Sequence, residues 1–160
     1  MAAHSSVKLW VHLVWSTHGR ERQLTSELRP KLFRHMLNYA QDENLDFERI
    51  NVQPEHVHVL IDLASDTSVM NVTKKIKGES SHWINENRMT KERFRWQRGY
   101  GAFSVSASQV EKVKRYIENQ EQHHQIHSFE EEYQNWLKNY DMGETDESVE
   151  GIFNIPYPPE

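Results

Sequence analysis

The sequence predicts an α+β domain, a split βαβ unit of the ferredoxin-like kind with an antiparallel sheet and one extra C-terminal helix. Three observations predict it. Residues 7–15 and 56–63 alternate in the two-residue period of strands. Residues 26–44 and 69–83 repeat apolar side chains at helical spacing. With shorter strand-like runs at 46–53 and 102–106, the order along the chain becomes strand, helix, strand, strand, helix, strand.

Each element has its own justification. In the first strand Val7, Leu9, Val11, Leu13 and Trp15 face one way, and Lys8, Trp10, His12 and Val14 the other. The polar stretch STHGRERQ is a loop. The helix at 26–44 carries Leu28, Leu32, Met36 and Ala40 on one stripe, widened by Phe33 and Leu37, with Pro30 in its first turn. Pro54 ends the second strand. On the third, Val57, Val59, Ile61 and Leu63 line one face, while His56, His58, Leu60 and Asp62 line the other. ASDTS caps the second helix, in which Val69, Val72, Ile76 and Trp83 form the apolar stripe and Gly78 is a weak point. MTKERFRWQRGYG connects it to a final strand, AFSVS. Ser108 and Glu111 then read as a capping box opening one long last helix, with Val110, Val113 and Ile117 on its apolar face. In such a fold both crossover helices cover one sheet face, so His56 and His58 should lie on the other.

The chain of 160 residues is expected to hold a single domain over 1–140 and an acidic, Pro-containing tail over 141–160. It has no cysteine, which excludes disulfides and Cys-based zinc sites. Neither a signal peptide nor an apolar run of about 18 residues is present, so a soluble, cytoplasmic protein without a membrane partner is expected. The net charge of −5 is unevenly spread. Residues 70–115 hold eleven Lys and Arg against four acids, and the tail holds six acids and no base. Such asymmetry suits one face that meets a polyanion. FRWQRGYGAF interleaves Phe94, Trp96, Tyr100 and Phe103 with Arg95 and Arg98, the pairing of stacking and phosphate-binding groups that single strands require. Lys74, Lys75, Lys77, Arg95, Trp96, Arg98 and Tyr100 are the expected DNA-binding residues; Phe103 is expected in the core.

H-x-H is weak by itself, because ten histidines yield about 0.6 such pairs by chance. Its place on a strand sharpens it: the two rings stand on one face about 6–7 Å apart, close enough to share one metal ion. On the last helix Tyr116, Gln120 and His127 fall in one sector beside the apolar stripe, flanked by His123 and His124. A helix laid on the open sheet face would bring a phenol and a carboxamide to the imidazoles. His123 and His127, at i and i+4, offer a rival metal pair, without the Glu of a hydrolase signature.

PEHVHVLID, KKIKGESSHWIN, RWQRGYGAFSVS and YIENQEQHH together, in this order, resemble the small single-tyrosine HUH transposases of bacterial insertion sequences and the related REP-associated tyrosine transposases. The resemblance implies that His56 and His58 are the metal-binding pair, Gln120 the third ligand and Tyr116 the nucleophile. It further implies an Mg²⁺ or Mn²⁺ cofactor and single-stranded DNA with hairpins as the partner. The DNA would be cut and rejoined through a 5′-phosphotyrosine intermediate. A homodimer is implied as well, with composite sites in which the tyrosine helix serves the partner's histidines. The competing reading is a non-catalytic single-stranded nucleic-acid-binding module, which has no need of Tyr116, Gln120 and the histidine pair together.

Overall fold

A computed structural model describes residues 5–120 and 128–140. Four strands, β1 (Trp10–Ser16), β2 (Asp46–Val52), β3 (His56–Asp62) and β4 (Gly101–Ser104), form one antiparallel sheet in the order β2-β3-β1-β4. The crossovers are α1 (Leu28–Asp42) and α2 (Val69–Glu86); α3 (Val110–Glu118) and α4 (Phe129–Asn139) follow. This is the expected split βαβ arrangement with helices added after it.

The β-strand alternation sorts the core into two layers. Leu13, Trp15, Val57, Val59 and Ile61 pack against Leu32, Met36, Val72 and Ile76 of α1 and α2. The opposite face is not open. Val14, Leu60 and Phe103 meet Val110, Val113, Tyr116 and Ile117 of α3 and Phe129 and Trp136 of α4. Two helices therefore seal the side that carries His56 and His58. Each buried Leu, Ile or Val is worth about 1.5–3 kcal/mol, so both faces contribute to holding the sheet.

The helix ends explain themselves locally. Ser68 caps α2 by accepting from Asn71 N at 3.1 Å. Both crossover helices stop in the same way, at a residue of positive φ: Asn44 (55°) after α1 and Arg88 (49°) after α2. In each, the next amide reaches back to the last turn, Leu45 N to Ala40 O at 2.8 Å and Met89 N to Ile84 O at 3.0 Å.

Two expectations about the C-terminal part are corrected. Ser108 lies in a single 3₁₀ turn, Ala107–Gln109, with no capping bond from its side chain at the start of α3; its hydroxyl instead meets that of Ser106 at 3.2 Å. The capping box sits at Ser128, whose Oγ accepts from Glu131 N while the Glu131 carboxylate accepts from Ser128 N, both at 3.2 Å. The single long helix is in fact α3, which ends at Glu118, and a separate α4. His123, His124, His127 and the tail from 141 lie outside the described residues. Among the described residues no helix is long and apolar enough to cross a membrane.

Gly101, the first residue of β4, is set by packing. A Cβ there would meet Val14 Cγ1, Phe103 and Tyr133, each at 2.9 Å, so α4 can approach the sheet only over a residue without one.

Candidate metal and tyrosine site

His56 and His58 project from β3 into the layer between the sheet and α3/α4, and neither has measurable exposure. Their ring centroids are 4.8 Å apart at 82°. Each ring is held at its Nδ1. The His56 Nδ1–H donates to Glu55 Oε1 at 2.8 Å, and His58 Nδ1 shares a hydrogen bond with His12 Nε2 at 2.9 Å. Fixing Nδ1 leaves the two Nε2 atoms as the ligating positions, the usual function of outer partners at a metal site.

Burial holds His12 and His56 in the neutral form. His12 is pushed down to about 3, chiefly by desolvation and then by the neighbouring His56. Desolvation also lowers His56, against the opposing pull of the Glu55 hydrogen bond and charge. A neutral His56 that donates through Nδ1 carries a lone pair on Nε2. That lone pair faces Gln120 Oε1 at 3.5 Å, too long for a good hydrogen bond and acceptor against acceptor. The Gln120 amide is oriented by donating from Nε2 to Tyr116 O at 3.1 Å.

Tyr116 stands on α3 with its ring 6.1 Å from His58 and 6.4 Å from His12, and is 4% exposed. The α3 stripe of Val110, Val113 and Ile117 seats on Leu60 and Phe103 of the same chain, which turns Tyr116 towards that chain's own histidines. The expected composite arrangement is thus not needed to assemble the groups, since one chain brings them together. From α4, Phe129 stacks on His56 at 4.1 Å and 13°, and Trp136 sets its edge against His12, His58 and Tyr116 at 5.1–5.8 Å. Arg20 fastens the start of this helix through an ion pair with Glu130 and a position 5.4 Å over the Phe129 ring.

A fourth polar group enters from α4. His56, His58 and Glu132 each offer a ligand atom within 4.8 Å of the others. Two imidazole nitrogens, a carboxamide oxygen and a carboxylate converging on one point suit a divalent ion that accepts mixed N and O ligands.

The expected DNA-binding residues divide. Lys74, Lys77, Arg95, Arg98 and Tyr100, joined by Arg93, line a 570 Å³ groove between α2 and the connection before β4, with no carboxylate in its wall. Lys77 Nζ also donates to Gln97 O and Gly99 O at 2.8 and 2.7 Å, so it braces that connection, where Gly99 takes a φ of 83°. Lys75 turns away, with its Nζ 3.8 Å from Glu43. Trp96 borders the groove but is a core residue rather than an exposed stacking platform. It is 8% exposed, its indole donates to Ser80 Oγ at 2.9 Å, and its ring meets Trp15 and Phe94 edge-on. Phe103 and Phe94, each 1% exposed, are core as well, and Tyr100 is the exposed aromatic of the four.

Sequence reasoning missed His12, Glu55 and Glu132. The first had a signal, a histidine on the same strand face as the apolar Trp10 and Val14. Glu55 had the weaker signal of preceding the histidine pair. Glu132, inside FEEEY, had none, because which of three adjacent acids turns inward depends on how α4 docks.

The ferredoxin-like sheet, the strand-borne H-x-H pair, the helix-borne tyrosine one turn before a glutamine and the basic groove are the features expected from the resemblance to single-tyrosine HUH transposases. A family model described as "Transposase IS200 like" matches residues 5–120, and the chain belongs to this family. It is 25% identical over 118 residues to the ISDra2 transposase TnpA of Deinococcus radiodurans, covering 71% of this chain and 84% of that one. Among solved structures it is similar to a Deinococcus radiodurans R1 transposase with a TM-score of 0.61 and 25% identity, over 75% of this chain and 96% of the other. A REP-associated tyrosine transposase bound to a REP hairpin shares the fold, with a TM-score of 0.56 at 16% identity, over 100% of this chain and 93% of the other.

Proposed function

We propose that this transposase cuts and rejoins single-stranded DNA at hairpin-bearing ends, with Tyr116 as nucleophile and His56, His58 and Gln120 as ligands of Mg²⁺ or Mn²⁺. The observation that carries the reading is the convergence of the Tyr116 ring and the Gln120 carboxamide on two imidazoles whose Nδ1 atoms are already engaged.

The chemistry follows from the groups. The Tyr116 hydroxyl loses its proton and attacks phosphorus; the new Oη–P bond forms as the P–O3′ bond breaks, and the leaving 3′-oxygen is protonated. A 5′-phosphotyrosine results, and attack by a 3′-hydroxyl reverses the step on another strand. When bound, the divalent ion polarises the phosphoryl oxygen and offsets charge in the transition state. His12 and Glu55 hold the imidazoles in one tautomer each, and the apolar rings of Phe129 and Trp136 exclude water. Tyr116 is 4% exposed and packs against Trp136 of α4, so a phosphodiester reaches it only after α4 shifts.

The basic groove supplies the DNA surface, with Tyr100 as the base-stacking group and Lys74, Arg95 and Arg98 at phosphates. A 120 Å³ pocket lined in part by Arg98, Tyr100, Phe129 and Tyr133 links that groove to the edge of α4, giving a strand a path towards the site. A homodimer, the assembly that the resemblance implies, would carry two such sites, each completed within its own chain. The test is incubation with labelled single-stranded hairpin DNA and Mn²⁺, followed by a denaturing gel. A covalent adduct is expected from the native chain and none from Tyr116→Phe, which should bind DNA almost unchanged. Adduct formation by the Phe variant would overturn the assignment of the nucleophile.

A further inference from the structure

We infer that Glu132, carried by α4, is an anionic metal ligand of the closed chain, added to the two histidines and Gln120. The inference rests on the reading of this site as a metal centre.

Glu132 is set apart from the other carboxylates of its helix. Glu130 pairs with Arg20 and Glu131 closes the capping box, both at the outer surface of the first turn. Glu132 turns inward, and its carboxylate comes within 4.8 Å of the ligand atoms of His56 and His58. The Gln120 Nε2 group lies 3.5 Å from Glu132 Oε1, so carboxamide and carboxylate approach the imidazoles from neighbouring directions. A carboxylate is costly to bury, and the like charge of Glu55, which is held at His56 Nδ1, adds to the cost here. The cost is offset where a divalent cation stands among these groups, and the charge balance points the same way. Two neutral imidazoles and a carboxamide bring no negative charge to a dication, and hard cations favour carboxylate oxygen.

Glu132 lies beyond residues 5–120, the span that matches the family model, so this ligand belongs to the chain's own C-terminal helix. Because that helix also covers Tyr116, Glu132 is a ligand of the closed state. Lifting α4 to admit DNA withdraws the carboxylate and frees its position for a phosphate oxygen of the strand.

The experiment is calorimetric titration of the full chain with Mn²⁺, comparing the native protein, Glu132→Gln and His58→Ala. The Gln substitution keeps the size and polarity of the side chain and removes the charge, and losing one ligand should weaken affinity about 10- to 100-fold. The thermal midpoint of the metal-free Glu132→Gln chain should be equal to or above the native one, since a buried carboxylate is removed. The titration is repeated in a Tyr116→Phe background with saturating single-stranded DNA, which binds without being cut. There the loss of affinity caused by adding Glu132→Gln should shrink to about 3-fold or less.

Unchanged Mn²⁺ affinity in Glu132→Gln, alongside loss in His58→Ala, overturns the inference and leaves the metal site standing. Native affinity in His58→Ala overturns the reading of the site itself. A difference that stays undiminished with DNA present overturns the displacement of Glu132 by the strand.

Discussion

Acidifying the metal-free protein from pH 7 to pH 5 should remove about 2 kcal/mol of stability through His12 alone. His12 is wholly buried between the sheet and α4, and burial depresses it to about 3 from the ordinary 6.5. With the folded value below the unfolded one, the unfolded chain takes up the proton first. The stabilisation is therefore complete above about pH 6.5 and is lost as pH falls towards about 3. Each pH unit in that window is worth about 1.4 kcal/mol, and about 1.5 units separate 6.5 from 5, which gives about 2 kcal/mol. His56 is shifted in the same direction and adds to the loss. The assay is urea unfolding with a chelator present, at both pH values, for the native chain and His12→Phe. Phe retains an aromatic ring against Trp136 and cannot titrate, so the variant should start less stable and lose about 2 kcal/mol less on acidification. Equal losses in both proteins would refute the claim that His12 is held neutral in the fold.

Three further outcomes follow from the site and the groove. His56→Ala and His58→Ala should each lose cleavage and bind Mn²⁺ at least about 10-fold more weakly while remaining folded, as read by calorimetry and circular dichroism. DNA affinity should favour hairpin-bearing single strands and fall steeply with salt, and Arg98→Ala should reduce the salt slope by about one counterion; equal binding of unstructured and hairpin strands across a salt series would contradict the proposed partner. Mixing Tyr116→Phe with His56→Ala chains should restore no cleavage, because Tyr116 packs 6.1 Å from the His58 ring of its own chain. Recovery of activity in verified heterodimers would show that the tyrosine helix is exchanged between subunits.

The parts of this architecture that were legible in the sequence are those fixed by local periodicity. The two-residue period of β3 assigned Val57, Val59 and Ile61 to the α1/α2 layer and turned His56 and His58 to the other face, where they lie. The helical period placed Tyr116 and Gln120 in one sector, and the resemblance gave that sector its meaning. What local pattern could not reveal was docking. A capping box reads the same at Ser108 as at Ser128, and only the 3₁₀ turn at Ala107–Gln109 decides which one starts a helix. Trp96 reads as a surface aromatic beside two arginines until the indole of Trp15 and the hydroxyl of Ser80 claim it. Glu132 reads as one of three solvated acids until α4 lies across the sheet. His12 needed β1 to pair with β3 in the register that sets Val14 opposite His58, which brings His12 diagonally within reach of it.

The proposed chemistry turns on Tyr116 becoming covalently joined to the 5′-phosphate of a cut strand. That bond can be sought by trapping the protein–DNA adduct, digesting the DNA to a short remnant and the protein to peptides, and mapping the modified residue by tandem mass spectrometry. A nucleotide remnant is expected on the phenolic oxygen of Tyr116, in the peptide that also contains Ile117 and Glu118. A remnant on Tyr133 or any other residue, or cleavage that proceeds with no covalent adduct, would contradict it.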